Sequence, residues 1–110
     1  METYRKIIKL LKEHCPPKYP ISVRRVELKG YDGLCKKKDG KFSIKINREL
    51  DEKTAIDTLL HEWAHARCWT DHHDAMSMEE WEKTIHGDHW GLAYAEVYRI
   101  FEEQYLKNMS

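Results

Sequence analysis

A chain of 110 residues can bury one modest core but not a catalytic domain plus an independent binding module, so a single domain over residues 1–110 is expected. Its apolar fraction of 41%, with four Trp, six Tyr and two Phe, argues against disorder, and its charged fraction of 35% implies a heavily solvated surface. The net charge of zero conceals an asymmetry: residues 1–48 hold 14 Lys and Arg against 5 Asp and Glu, and residues 49–110 hold the reverse, so the halves are expected to neutralise each other, with nucleic acid left open as a partner.

From the N-terminus, Ile7, Ile8, Leu10 and Leu11 recur at helical spacing among Lys and Arg, which predicts a helix over residues 2–14, stopped by Cys15-Pro16-Pro17. Its apolar positions are spaced as an amphipathic stripe, unlike a signal peptide, and no run of about 18 apolar residues occurs anywhere, so no membrane association is expected. Imperfect alternation from Ile21 to Leu28 and clean alternation from Lys41 to Ile46 predict two strands, the second with Phe42, Ile44 and Ile46 on one face. Gly30, Asp32-Gly33 and Lys38-Asp39-Gly40 supply turns around a short middle strand near Leu34 and Cys35, giving a three-stranded antiparallel meander. Asp51 is placed to cap a helix running through Cys68, and a last helix is predicted from about His86 to Lys107. Three cysteines, Cys15, Cys35 and Cys68, cannot all pair within one chain and form no C-x-x-C motif, which points to free thiols in the cytoplasm.

Within the capped helix, His61-Glu62-Trp63-Ala64-His65 is an H-E-x-x-H run. At this spacing the two imidazoles lie about 40° apart around the axis and about 6 Å along it, so both can reach one ion. Ile56, Leu59, Leu60, Trp63 and Ala64 form the apolar side, the histidines border it, and Glu62 falls further round. Imidazole nitrogen suits Zn²⁺, and a catalytic zinc site uses three protein ligands and leaves one position for water. Glu62 is then expected to act beside that water as the general base.

Candidates for the third ligand are Asp71, His72, His73, Asp74, His86, His89 and Glu96. If residues 86–107 are helical, Trp90, Ala93, Tyr94, Val97 and Phe101 make the buried stripe. His86 then projects within about 40° of Trp90 and Glu96 about 120° away, which ranks His86 above Glu96. Tyr94 is the better placed of Tyr94, Tyr98 and Arg99 to steady an oxyanion, and Asp57 or Asp74 could orient a ligand histidine.

The run Leu59-Leu60-His61-Glu62-Trp63-Ala64-His65, followed by His86-Gly87-Asp88-His89-Trp90-Gly91, resembles the SprT-like zinc metallopeptidases, which include small phage-encoded members. The resemblance covers roughly residues 42–100 and implies a zincin-like α+β fold, with the histidine of an H-G-x-x-aromatic motif, here His86, as third metal ligand. Longer members add a cysteine-rich zinc ribbon or DNA- and ubiquitin-binding segments that have no counterpart in this sequence, so the crosslink-repair activity of the Spartan branch is not implied.

The expected protein is thus a monomeric, cytoplasmic zinc metalloprotease that hydrolyses peptide bonds of a protein or peptide substrate with metal-activated water. The alternative is a catalytically weak, metal-stabilised binding protein, associated with nucleic acid through the basic first half. A substrate strand is expected to add along Lys41–Asn47, taken as the sheet edge next to the metal helix.

Overall fold

The computed structural model describes residues 2–69 and 88–107. Helix α1 spans Glu2–His14 and buries Tyr4, Ile7 and Leu11, one side of the amphipathic pattern. Strands β1 (Ile21–Val26), β2 (Gly33–Lys38) and β3 (Lys41–Asn47) form one sheet, followed by α2 (Glu52–Arg67) and α3 (Asp88–Phe101), the last continuing into a π-helical turn over Glu102–Leu106. The fold is α+β: α2 packs on one face of the sheet, against β2 and β3, and α1 and α3 pack on α2 and on each other.

The sheet is mixed, not an antiparallel meander. Its order is β1-β3-β2, with β1 parallel and β2 antiparallel to β3. The central strand is the one with the cleanest alternation: Phe42, Ile44 and Ile46 are fully buried, and a central position shields that face from both sides. Two devices, one local and one between distant residues, produce this order. Asp39 and Gly40 have φ of 53° and 72°, the backbone of a tight hairpin whose twist matches the strands, so β2 and β3 pair directly. The segment between β1 and β2 instead passes over the end of β3, where Asn47 holds it: Nδ2 donates to Leu28 O (3.0 Å) and Tyr31 O (3.1 Å), and the Asn47 amide donates to Asp32 O (2.8 Å). The strand expected at the edge is therefore the middle one, and the edges are β1 and β2.

Helix α2 starts where its cap predicts. Asp51 Oδ1 accepts from the Thr54 amide at 2.8 Å, and the helix ends at Cys68, whose amide returns to Ala64 O. Ala55, Leu59, Leu60, Trp63 and Ala64 are completely buried beneath the sheet and between the other helices. The start of the chain is clasped to this helix: Trp63 Nε1 donates to Cys15 O (2.8 Å), and Arg67 Nη1 donates to Pro16 O (2.7 Å). In α3 the predicted stripe is the observed one, with Val97 and Ala93 buried and Trp90, Tyr94 and Phe101 half-buried. All three cysteines are free thiols, and no helix among the described residues is long and apolar enough to cross a membrane.

Candidate metal centre and active site

One turn of α2 brings His61, Glu62 and His65 together. A ligating atom from each lies within 4.8 Å of those of the other two, and the two imidazole rings meet edge to face with centroids 4.9 Å apart. Two imidazole nitrogens that can meet at one point are donors a divalent transition ion takes, so His61 and His65 fit such an ion, with the Glu62 carboxyl beside it. His61 is half-buried, whereas His65 and Glu62 are only 3% and 7% exposed.

That burial corrects the helical-wheel expectation, in which Glu62 falls away from the apolar side. Strand β2 covers it. An added Cβ on Gly33 would sit 2.7 Å from Thr58 Cγ2, 3.1 Å from Glu62 Cγ and 3.3 Å from Ile46 Cδ1, so β2 lies on α2 at this point only because residue 33 has no side chain. Gly33 was legible in the sequence as turn chemistry alone; a glycine inside a strand also signals close approach of another element, and that signal finds it. Gly33→Ala is expected to lower stability by about 1–2 kcal/mol, overpacking outweighing the entropic gain of removing a glycine. It should also depress any activity beyond that loss, because the displaced group is Glu62. A urea midpoint at or above that of the parent would remove the close-packing argument.

Burial pushes the Glu62 carboxyl up to about 7, from an ordinary 4.5. In metal-free protein the sign follows directly. The protonated carboxyl favours the folded state, so this stabilisation is complete below about pH 4.5 and is lost as pH rises through about 7. Unfolding free energy in chelator is expected to fall by about 2–3 kcal/mol from about pH 5 to pH 8, at about 1.4 kcal/mol per pH unit. Urea titrations of parent and Glu62→Gln across that range check it, and parallel curves would show that Glu62 does not titrate in this way.

Aromatic residues of α3 close the other side. The Trp90 ring lies 4.9 Å from that of His61 and 5.5 Å from that of His65, and stacks on Tyr94 at 5.0 Å with 21° between planes. Tyr94 lies 6.4 Å from the His61 ring. Burial, with Asp57 and Tyr98 nearby, raises the Tyr94 phenol above its ordinary value and keeps it a proton donor. In front of these groups an open cavity of about 480 Å³ is lined by Asp32, Gly33, Asp57, His61, Glu62 and Tyr94, among others.

No protein-family model, curated protein or solved structure matches the chain.

The remaining candidates separate. Glu96 forms an ion pair with Arg67 and accepts from Cys15 Sγ (3.8 Å), a structural tie among α2, α3 and the segment after α1. His86, Asp71, His72, His73 and Asp74 lie outside the described residues. Asp57 is exposed at the cavity.

Proposed function

We propose that this protein is a zinc-dependent metalloprotease of the SprT-like kind, hydrolysing peptide bonds with Glu62 as general base and with His61, His65 and His86 holding the metal. The observation that carries the reading is the cluster itself: two imidazoles and a carboxyl on one helical turn, the carboxyl buried by β2 yet lining an open cavity. A solely structural zinc site closes its coordination with protein ligands and gains nothing from such a carboxylate. His86 enters as third ligand through the resemblance of His86-Gly87-Asp88-His89-Trp90 to the H-G-x-x-aromatic motif, and the Trp90 ring of that run lies against both imidazoles.

Zinc held there would supply Lewis acidity, polarising a peptide carbonyl and making water acidic enough to lose a proton near neutral pH. The other steps belong to side chains of this protein. Glu62 takes the proton of the attacking water as its oxygen bonds to the carbonyl carbon, then delivers that proton to the amide nitrogen as the C–N bond breaks. Burial favours the protonated carboxyl and a dication beside it would favour the carboxylate, so both forms that the exchange needs are accessible to Glu62. Tyr94, protonated and lining the same cavity, is the donor for the oxyanion. Trp90 shields the back of both imidazoles. The substrate aligns as an added strand along the outer edge of β2, which pairs with no other strand among the described residues and whose Gly33 end abuts Glu62. Free thiols at Cys15, Cys35 and Cys68 favour a reducing, cytoplasmic setting.

The test is metal uptake joined to proteolysis. Purified protein should take up stoichiometric zinc and cleave unfolded casein, stop when 1,10-phenanthroline is added, and resume on return of zinc. His61→Ala and His65→Ala should each lose both properties. A chain that binds no divalent ion has a different function.

A further inference from the structure

The sheet has a second face, turned away from the helices. Strand register places side chains on it: Arg24 beside Lys45 across the β1–β3 pair, Lys38 opposite Lys41 across β2–β3, and Lys36 opposite Ser43 between them. Alternation settles the direction, since Cys35, Phe42, Ile44 and Ile46 are buried on the inner face. Arg24, Lys36, Lys38 and Lys41 are exposed and Lys45 half-buried. No Asp or Glu occurs in any of the three strands; Asp39 sits in the hairpin turn.

We propose that this outer face, with Arg24, Lys36, Lys38, Lys41 and Lys45 in adjacent register, binds the phosphate backbone of a nucleic acid. Like charges directly opposite one another weaken a sheet, yet here they occur twice, Arg24 with Lys45 and Lys38 with Lys41. None of the five has an ion-pair partner among the described residues. The basic strand residues that do find partners point inward: Arg25 donates to Arg48 O and Leu50 O, and Lys37 lies 4.6 Å from the Tyr19 ring centroid. Among the described residues, the ion pairs Lys6–Glu2 and Arg67–Glu96 each stay within one half and neither reaches this face.

Composition favours a polyphosphate over an acidic protein. Protein interfaces have an apolar, often aromatic core and are depleted in Lys, whereas this face has no aromatic ring, with Leu34 and Val26 as its large apolar side chains. The basic positions lie about 5 Å apart across strands, and along them about 7 Å apart from Lys36 to Lys38 and about 13 Å from Lys41 to Lys45, a flat array that tracks a charged backbone. Without aromatic rings to stack bases and with little to read their edges, binding is independent of sequence.

Fluorescence anisotropy of a labelled mixed-sequence oligodeoxynucleotide, single-stranded and annealed, tests this on the full chain. Three to five neutralised phosphates predict that affinity falls roughly 20- to 500-fold between about 50 and 200 mM salt. Arg24→Gln with Lys45→Gln should weaken binding and reduce the log–log salt slope by about two. Melting temperature should hold or rise, because a like-charge pair is relieved, and zinc content should not change. Lys9→Gln with Lys12→Gln, on the exposed side of α1, should bind as the parent does. Three results overturn the proposal: no binding at about 50 mM salt, equal loss in the α1 variant, or displacement of the oligonucleotide by poly-glutamate at matched charge, which would assign the face to an acidic polypeptide.

Discussion

Glu62→Gln is expected to reduce kcat for cleavage of an unfolded substrate by about 10²- to 10⁴-fold, the range for removal of a positioned general base, while KM and zinc content stay near those of the parent. Glutamine keeps the shape that fits beside Gly33 and Thr58, and His61 and His65 are untouched, so the substitution removes proton transfer alone. The same variant should be more stable than the parent in chelator above about pH 7, because a neutral amide replaces a carboxyl that burial keeps from ionising easily. Lower activity with higher metal-free stability is the expected pattern for a group retained at an energetic cost for its chemistry. Each departure has a separate meaning. Unchanged proteolysis would leave a metal-stabilised binding protein. Loss of zinc would make Glu62 a ligand instead of the base, which its place within 4.8 Å of both imidazole donors permits geometrically.

What could be read from sequence follows from the range of the interactions involved. Helix α2 and its cap depend on residues a few positions apart, and Asp51, Leu59 and Trp63 behave as local periodicity and capping require. The inward faces of β3 and α3 were legible for the same reason. Strand order was not, because alternation tells which face of β3 is buried and is silent about which strand lies beside it. That choice is made by contacts between distant residues, such as Asn47 with Leu28, Tyr31 and Asp32. Glu62 shows the same limit at the site. Its identity within the motif is local, but its burial depends on Gly33, 29 positions earlier, and on the crossover that delivers β2 to α2. Glu96 could be assigned to a solvated side from the wheel, yet its engagement with Arg67 and Cys15 required all three elements in place.

The other large effect is expected at Trp63, the larger of the two residues inside the motif to which no chemistry is assigned. It is fully buried, and its indole nitrogen holds the carbonyl of Cys15, so it joins the helix carrying both histidines to the end of α1. Trp63→Ala should cost about 3–5 kcal/mol from lost burial and the remaining cavity, against the roughly 5–15 kcal/mol that a domain of this size has in total. Trp63→Phe keeps most of the apolar volume but leaves the Cys15 carbonyl without its donor, and about 1–2 kcal/mol is expected. Zinc distinguishes stability from function here. Zinc bound to the folded state as proposed would, at a hundredfold excess over Kd, add about 2.7 kcal/mol, enough to offset the Phe variant and not the Ala variant. Urea unfolding of parent, Phe and Ala proteins, each with and without zinc, separates these contributions. If Trp63→Ala lost less than about 1 kcal/mol, the clasp between Cys15 and Trp63 would not be what fixes the histidine helix, and its position would have to come from the sheet packed against Leu59 and Leu60.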